Sequence, residues 1–294
     1  MHNLESYRLD EAALEVTGYR RLQILPSVGS TNEAARQVLV GDAVARLSYG
    51  ELSLISTDDQ NAGRGRLDRV WEAPAGCCLA TSFLVRPHVN PSLRPAPGQY
   101  HWLTSLAALA ACDVFEQLAG LSPTIKWPND VLIGNRKACG ILAQLVIEPE
   151  GHISVVVGVG LNLNLAEDQL PVATATSTLV ETGNPVDLSR ALSVLATSFE
   201  QYYRNFAATG FDASVGGQAS LINHLKNRMS TLGSYLTIHL PGDETFRGTG
   251  VDLTAEGELV VRSDQGEERS FTVGDVVHVR PDGYGKPPAS STTL

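Results

Sequence analysis

Lys126-Trp127-Pro128-Asn129-Asp130-Val131-Leu132-Ile133-Gly134-Asn135-Arg136-Lys137-Ala138-Cys139-Gly140 is the stretch whose reading decides the fold. Residues 124–127 alternate polar and apolar side chains, Pro128-Asn129-Asp130 interrupts them, and residues 131–133 resume the alternation. Gly134-Asn135 then turns the chain into the long apolar run 141–147. The pattern is that of short strands folded back by tight turns. Two lysines, an asparagine and an aspartate inside such a sheet need partners or a ligand, because unpaired polar groups are costly to bury. If Glu148-Pro149-Glu150-Gly151 is the next hairpin turn, Lys137 falls opposite Asn162, to within a residue or two. A cation then sits beside an amide at one end of the sheet, next to Gly140, Gly158 and Gly160. Positions without side chains let a small molecule lie directly on the backbone there.

Working outward, the 294 residues are 43% hydrophobic, enough to bury the core of one large domain or of a large and a small one. Charged residues make up 18%, and this composition excludes wholesale disorder. A net charge of −10 argues against a protein that grips nucleic-acid backbone through many Lys and Arg contacts, but leaves room for a nucleotide pocket with a few local cations. Cys77, Cys78, Cys112 and Cys139 show no C-x-x-C spacing and the histidines are scattered, so no zinc site is expected. The thiols read as reduced and mostly buried. The first residues lack a basic end and an apolar core, and no apolar run reaches membrane-spanning length. The expectation is a soluble cytoplasmic protein without a membrane partner.

Residues 1–20 are mixed and weakly helical, too short for a helix-turn-helix domain with its own core. Residues 21–25 alternate as a strand that ends at Pro26. Ser30 followed three residues later by Glu33 is a capping box at a helix start. The plain reading is a well-capped helix; the sharper one turns the Ser30 and Thr31 hydroxyls toward a ligand at the helix N-terminus, where free N–H groups also point. Residues 52–57 form a strand that delivers Asp58-Asp59-Gln60-Asn61-Ala62-Gly63-Arg64-Gly65-Arg66-Leu67-Asp68-Arg69-Val70-Trp71. The charges alone would make an ordinary solvated loop. Interleaved with Gly63 and Gly65, however, Arg64, Arg66 and Arg69 can supply fixed forks around an anion that the backbone closely wraps. The loop is neither a Walker A motif nor a dinucleotide fingerprint. Trp71 reads as a hydrophobic anchor, with stacking as the alternative.

Further on, residues 78–85 read as a strand. Residues 100–118 place Leu103, Leu106, Ala107, Ala110, Val114 and Leu118 at helical spacing and stop at Gly120. Residues 153–164 are another strand, 173–184 an uninformative loop, 187–207 a strongly amphipathic helix and 219–229 a second one. After Gly233 the pattern changes to short strands at 235–240, 245–253, 258–262, 268–271 and 276–279, which predicts a small SH3-like barrel. Residues 283–294 read as a disordered tail.

Taken in order, Ser30-Thr31-Asn32, Gln60 to Arg66, Lys126-Trp127-Pro128-Asn129-Asp130, Lys137-Ala138-Cys139-Gly140-Ile141-Leu142 and Gly158-Val159-Gly160-Leu161-Asn162 resemble the signature of biotin–protein ligases (biotin–acetyl-CoA-carboxylase ligases). The resemblance runs from about residue 22 to 281; the pentapeptide at 126–130 and the loop at 63–66 are its specific parts. It implies an α+β fold of the class II synthetase-like kind. A mixed, mostly antiparallel sheet with helices would occupy residues 1–232, and a small SH3-like β-barrel residues 233–282. It also implies an ATP-dependent ligase that joins biotin to AMP with release of pyrophosphate, then transfers biotin to a lysine of a biotin carboxyl carrier domain. Joining a carboxylate to a triphosphate brings like charges together, so cations and Mg²⁺ matter more than a protein nucleophile.

On the same resemblance, Ser30, Thr31, Asn32 and Gln60 would bind biotin, with the backbone of Gly63, Gly140 and Gly160 lining the slot. Arg64, Arg66 and Arg69 would order over biotin and the adenylate and exclude water. Lys137 would contact the carboxylate and the α-phosphate. Lys126, Asn129, Trp71 and Asn162 would serve the nucleotide, Asn162 by reading adenine, and Asp130 would face the metal. Leu67-Asp68 stands where the family usually has a basic residue and a glycine, which makes the loop less cationic and less pliable. Near residues 176–178 no tryptophan covers the adenine. A DNA-binding domain is not expected, a homodimer is admitted, and two other readings compete: a lipoate or octanoate ligase on the same fold, and a nucleic-acid or partner-binding module built on the C-terminal strands.

Overall fold

A computed structural model describes residues 4–66, 69–71, 73–93, 95–272 and 278–281. The expectations for Leu67-Asp68 and for residues 283–294 lie outside them. The strands in chain order are β1 (Arg21–Ile24), β2 (Leu52–Thr57), β3 (Gly63–Arg64), β4 (Val70–Trp71), β5 (Cys78–Val85), β6 (Pro123–Lys126), β7 (Asp130–Ile133), β8 (Arg136–Ile147) and β9 (Ile153–Asn162). Seven of them form one sheet in the order β1-β2-β5-β9-β8-β7-β6, while β3 and β4 make a separate small hairpin. Only β1 runs parallel to its neighbour; every other pair in the sheet is antiparallel.

The helices are α1 (Thr31–Val40), α2 (Ala43–Leu47), α3 (Trp102–Ala119), α4 (Thr178–Thr182), α5 (Leu188–Ala208) and α6 (Leu221–Arg228). Two-residue alternation sends Val155, Val157, Val159 and Leu161 of β9 into the main core with α3 and α5. There the Phe83 and Phe199 rings stack at 4.0 Å; burying each such side chain contributes about 1.5–3 kcal/mol. The intervening residues of β9 face the opposite side. Val156 meets Ala35 and Leu39 of α1, Asn32 at the start of that helix packs on Gly158, and beyond it the same face continues as Gly160 and Asn162. The helix side of the sheet is covered except where Leu145 and Ile147 emerge at the far end of β8, and the other side is left open at the glycine end.

Local chemistry explains the helix ends. Ser30 caps α1, its Oγ accepting from Glu33 N at 3.4 Å, but the box is only half formed, because the Glu33 carboxylate binds Arg36 and Gln37 instead. Asp187 caps α5 by accepting from Ser189 N and Arg190 N, and Gly120 ends α3 at φ +63°. Residues 173–184 correct the reading of an uninformative loop: Ser177 caps α4, and Lys137 pairs with Ala175 in a parallel bridge. C-terminally, β10 (Tyr235–His239), β11 (Thr245–Leu253), β12 (Leu259–Arg262), β13 (Glu268–Phe271) and β14 (His278–Pro281) form an antiparallel sheet in the order β13-β12-β11-β10-β14. No pairing joins its outer strands into a closed barrel among the described residues. Trp127 ties this sheet to the larger one, its Nε1 donating to Gly257 O at 3.2 Å. No helix among the described residues is long and apolar enough to cross a membrane.

Candidate functional site

The open end of the sheet is floored by a pair of glycines. Gly140 of β8 and Gly160 of β9 are register partners, and the indole of Trp71 lies over both: a Cβ on Gly140 would stand 2.9 Å from it and one on Gly160 2.7 Å. Trp71 reaches this place from the β3–β4 hairpin, where it pairs with Gly63. The structure therefore sets Trp71 on the ligand side of the sheet rather than in the core.

A bulge brings the key cation to the same floor. The β7–β8 register passes from Val131↔Cys139 to Leu132↔Lys137, leaving Ala138 as an extra residue. In a regular strand residues 137 and 140 would point to opposite faces; one inserted residue puts them on the same one. Lys137 Nζ accordingly lies 3.0 Å from where a Gly140 Cβ would be and 5.5 Å from the Trp71 ring centroid. The expected pairing of Lys137 with Asn162 is displaced by one residue, since Cys139↔Leu161 sets Ala138 against Asn162. Lys137 and the loop containing Gly63 nonetheless share one face.

Asp130 holds that ammonium, with Lys137 Nζ 2.6 Å from Oδ1 and Lys126 Nζ 3.9 Å from Oδ2. Arg66 feels burial first, which lowers its pKa, while the negative Asp130 raises it and Arg69 lowers it further. Three cations thus converge on one carboxylate. Magnesium prefers an octahedral oxygen shell, keeping several waters beside one or two carboxylates and substrate phosphates. Among the described residues no group of three or more His, Cys, Asp or Glu side chains could hold a metal. Asp130, expected to face a metal, is here the counter-ion of Lys137 and Lys126; as a single carboxylate it would serve a Mg²⁺ together with substrate phosphates and water, not as part of an all-protein cage. Asn129, expected to serve the nucleotide, donates through Nδ2 to Ile141 O at 2.8 Å, which fixes the turn.

The second wall of the slot is a polar network at the start of α1. Thr31 donates to Gln60 Oε1 from its backbone N at 2.9 Å and from Oγ1 at 3.1 Å. Ser82 Oγ lies 2.8 Å from Thr31 Oγ1 and 2.6 Å from Asn32 Oδ1, and Asn32 Nδ2 donates to Leu142 O at 3.0 Å. Ser30 spends its hydroxyl on the helix cap. Gly63 packs so closely between the Gln60 amide and Trp71 O that a Cβ there would collide with both. Between the two walls, Thr57, Asp58, Gln60, Trp71, Cys78 and Ala80 enclose a void of only about 10 Å³. A separate, larger cavity of about 650 Å³ shares no lining residue with it and runs from Arg64 and Arg66 past Asn129 and Trp127 to Ala108 of α3 and Leu253 of β11. Arg64 and Arg69 are exposed at the rim.

At the far end Asn162 is braced: Nδ2 donates to Thr176 O at 3.1 Å and Oδ1 accepts from Cys78 Sγ at 3.4 Å. Burial pushes the Cys78 and Cys139 thiols well up, so neither supplies a thiolate nucleophile. Sequence reading missed Ser82, Cys78 and Thr176. A polar Thr81-Ser82 pair inside an otherwise apolar strand was the available signal for the first.

Comparison with known proteins gives the arrangement a lineage. Residues 30–162 match the family model described as "Biotin/lipoate A/B protein ligase family", and residues 231–279 match "Biotin protein ligase C terminal domain". The chain is 32% identical over 276 residues to a biotin--[acetyl-CoA-carboxylase] ligase of Mycobacterium tuberculosis, covering 90% of this chain and 91% of that one. It is 29% identical to a bifunctional ligase/repressor of Bacillus spizizenii and 30% identical to that of Bacillus subtilis, covering 70% and 65% of their lengths. A biotin protein ligase from Aquifex aeolicus, solved in complex with biotin and ATP, superposes with a TM-score of 0.69 at 23% identity over 89% of this chain and 99% of that one.

Proposed function

We propose a mechanism for this chain on the premise that it belongs to the biotin protein ligase family, as its identity over nearly the whole of a mycobacterial ligase establishes. It is a ligase: biotin and ATP give biotinyl-5′-AMP and pyrophosphate, and biotin is then passed to a lysine of a carrier domain. The observation that carries the residue assignments is the Lys137 ammonium held by Asp130 over the Gly140–Gly160 floor, on the same face as Gln60 and Trp71.

In this reading the ureido ring of biotin enters between the Thr31–Gln60 wall and Trp71, with Asn32 and Ser82 behind it. A bicyclic ring needs more than 10 Å³, so Trp71 must swing off the glycines when biotin binds. The carboxylate then comes to Lys137, which releases Asp130 in exchange for it. A carboxylate oxygen attacks the α-phosphorus of ATP, and the bond to the pyrophosphate leaving group breaks. Lys137, Lys126 and Arg66 offset the negative charge that accumulates on the α-phosphoryl oxygens. In the second half-reaction the acceptor amine attacks the biotinyl carbonyl carbon, AMP departs with the electron pair, and the amine loses a proton. Arg64, Arg66 and Arg69 shield the anhydride from water between the two steps. Asn162, braced by Thr176, offers its amide to the adenine.

Magnesium is assigned to the ATP phosphates, where it would screen charge, and not to a cluster of protein carboxylates. A carrier-domain acceptor follows from the family resemblance; a cytoplasmic location and a division of the chain near residue 232 belong to the same proposal, and a homodimer is compatible with it. Pyrophosphate exchange into ATP tests the reading. Exchange that depends on biotin is expected; exchange with lipoate alone would replace biotin as the substrate.

A further inference from the structure

Residues 4–20 lie outside both matched regions, which begin at residue 30 and residue 231. They run along α5 as a strap. Asp10 N donates to Ser189 Oγ at 2.9 Å, Glu15 N to Ser193 Oγ at 3.1 Å, and Tyr19 Oη to Ala196 O at 2.7 Å. Positions 189, 193 and 196 fall on one stripe of the helix, so the strap is backed by a rigid element.

From this strap Arg8 reaches across to Asp58. Its Nη2 donates to Asp58 Oδ1 at 2.8 Å, its Nε bonds Oδ2, and Leu9 N adds a bond to Oδ2 at 3.2 Å. Asp58 is 7% exposed, follows directly on β2, and stands two residues before Gln60. Its carbonyl accepts from Gly76 N at 2.8 Å, on the segment that enters β5. The Arg8 stem lies across that segment, where a Cβ on Gly76 would meet it at 2.5 Å. Asp58 also lines the small void together with Gln60 and Trp71.

We propose that Arg8 is a positioning residue for the biotin slot: by bonding the buried Asp58 carboxylate it holds residues 58–60, and so the Gln60 amide, against Thr31. The substrate named here rests on the functional reading above; the mechanical part does not. Without the guanidinium, Asp58 is left as a buried charge with one backbone donor, a strongly unfavourable state. The relief available is movement of residues 58–60 toward water, which draws Gln60 away from Thr31. Lys126 and Lys137 stand on β6 and β8 and are not tied to the strap by these bonds.

The test uses the full chain carrying Arg8→Ala and two readouts. Hydrogen exchange at the Thr31 amide, which donates to Gln60 Oε1, is expected to speed up roughly tenfold or more. In pyrophosphate exchange the biotin KM is expected to rise roughly tenfold, with the ATP KM within about twofold of wild type. Adding Asp58→Asn to Arg8→Ala removes the buried charge and is expected to recover most of both losses. Wild-type exchange at Thr31, an equal rise in both KM values, or a double variant no better than Arg8→Ala overturns the proposal. Exchange at Thr31 needs no ligand, so a wild-type chain inert toward biotin would remove the functional reading alone and leave the exchange rates to decide this one.

Discussion

At the scale of single residues, two positions carry most of the argument. In the sequence Lys137 is a cation stranded in a strand, and the structure supplies its partner, Asp130 at 2.6 Å. On the proposed mechanism, replacing it with alanine removes the charge that bridges carboxylate and α-phosphate. Lys137→Ala is expected to lower kcat/KM in pyrophosphate exchange by about 10²–10³, the cost of losing one well-placed charge donor. Biotin binding should survive in weakened form by calorimetry, because the Thr31–Gln60 wall is untouched. Gly160 is the second. A methyl group there would meet the Trp71 indole at 2.7 Å, and the neighbouring Gly140 leaves no other floor. Gly160→Ala is expected to weaken biotin roughly tenfold, or about 1.4 kcal/mol, and to shift the tryptophan fluorescence of the free protein. Unchanged emission and affinity would mean that the indole does not rest on the glycines.

Elements decide what those residues can do. The bulge in β8 turns a residue that strict alternation would send to the α3 side toward the glycine face. No count of apolar positions in 136–147 reveals it, since an inserted residue is visible only against the partner strand. Residues 173–184 behave similarly: their backbone bonds to Lys137, with Lys137 N donating to Thr174 O at 2.7 Å and Thr176 N to Lys137 O at 2.8 Å, are long-range and leave no periodicity. In the proposed cycle the β3–β4 hairpin carries the arginines over the site, and Gly65 N donates to Arg69 O at 2.6 Å within it. Arg66 is its half-buried member and faces Asp130. Arg66→Gly is expected to let the adenylate escape, so that a bystander protein mixed with the variant, ATP and biotin becomes biotinylated on several lysines by streptavidin blot. A variant as selective as wild type would deny the hairpin its gating role.

Across the whole molecule, burial of imidazole rings sets a pH dependence of stability. His88, His101 and His224 are each held below the usual histidine value of 6.5, chiefly by burial. Their pKa values are lower folded than unfolded, so near neutrality the unfolded chain binds more protons and stability rises with pH. The melting temperature is therefore expected to fall as pH drops through about 6.5 and to level off once the folded histidines also titrate. Carboxylates held low in the folded chain, such as Glu148, whose burial raises its pKa but is outweighed by the bonds from Arg86 and Ser154, add their loss only below about 4.5. A flat melting profile between pH 7.5 and 5.5 would contradict the burial of these rings. Trp127 links the two sheets at the same scale, its indole donating to Gly257 O while its backbone N donates to Thr231 Oγ1 at 2.9 Å. The motif that the family resemblance assigns to the nucleotide is thus also part of the joint between the two sheets.

Short-range chemistry in the chain was enough to predict the strands at 52–57, 78–85, 245–253 and 268–271, the cap at Ser30, the long helices and the glycine-lined end of the sheet. Each of these is settled by neighbours a few residues away, through alternation, helical spacing or turn chemistry. Distant partners had to meet before the rest took shape. Trp71 came to lie on Gly140 and Gly160, Asp130 was claimed by Lys137, Asn129 was turned to Ile141, and Arg8 was brought to Asp58. The dividing line is physical: a backbone preference is carried by the residue and its near neighbours. The partner of a buried charge, and the face on which a bulged strand presents it, exist only once segments remote in sequence are packed together.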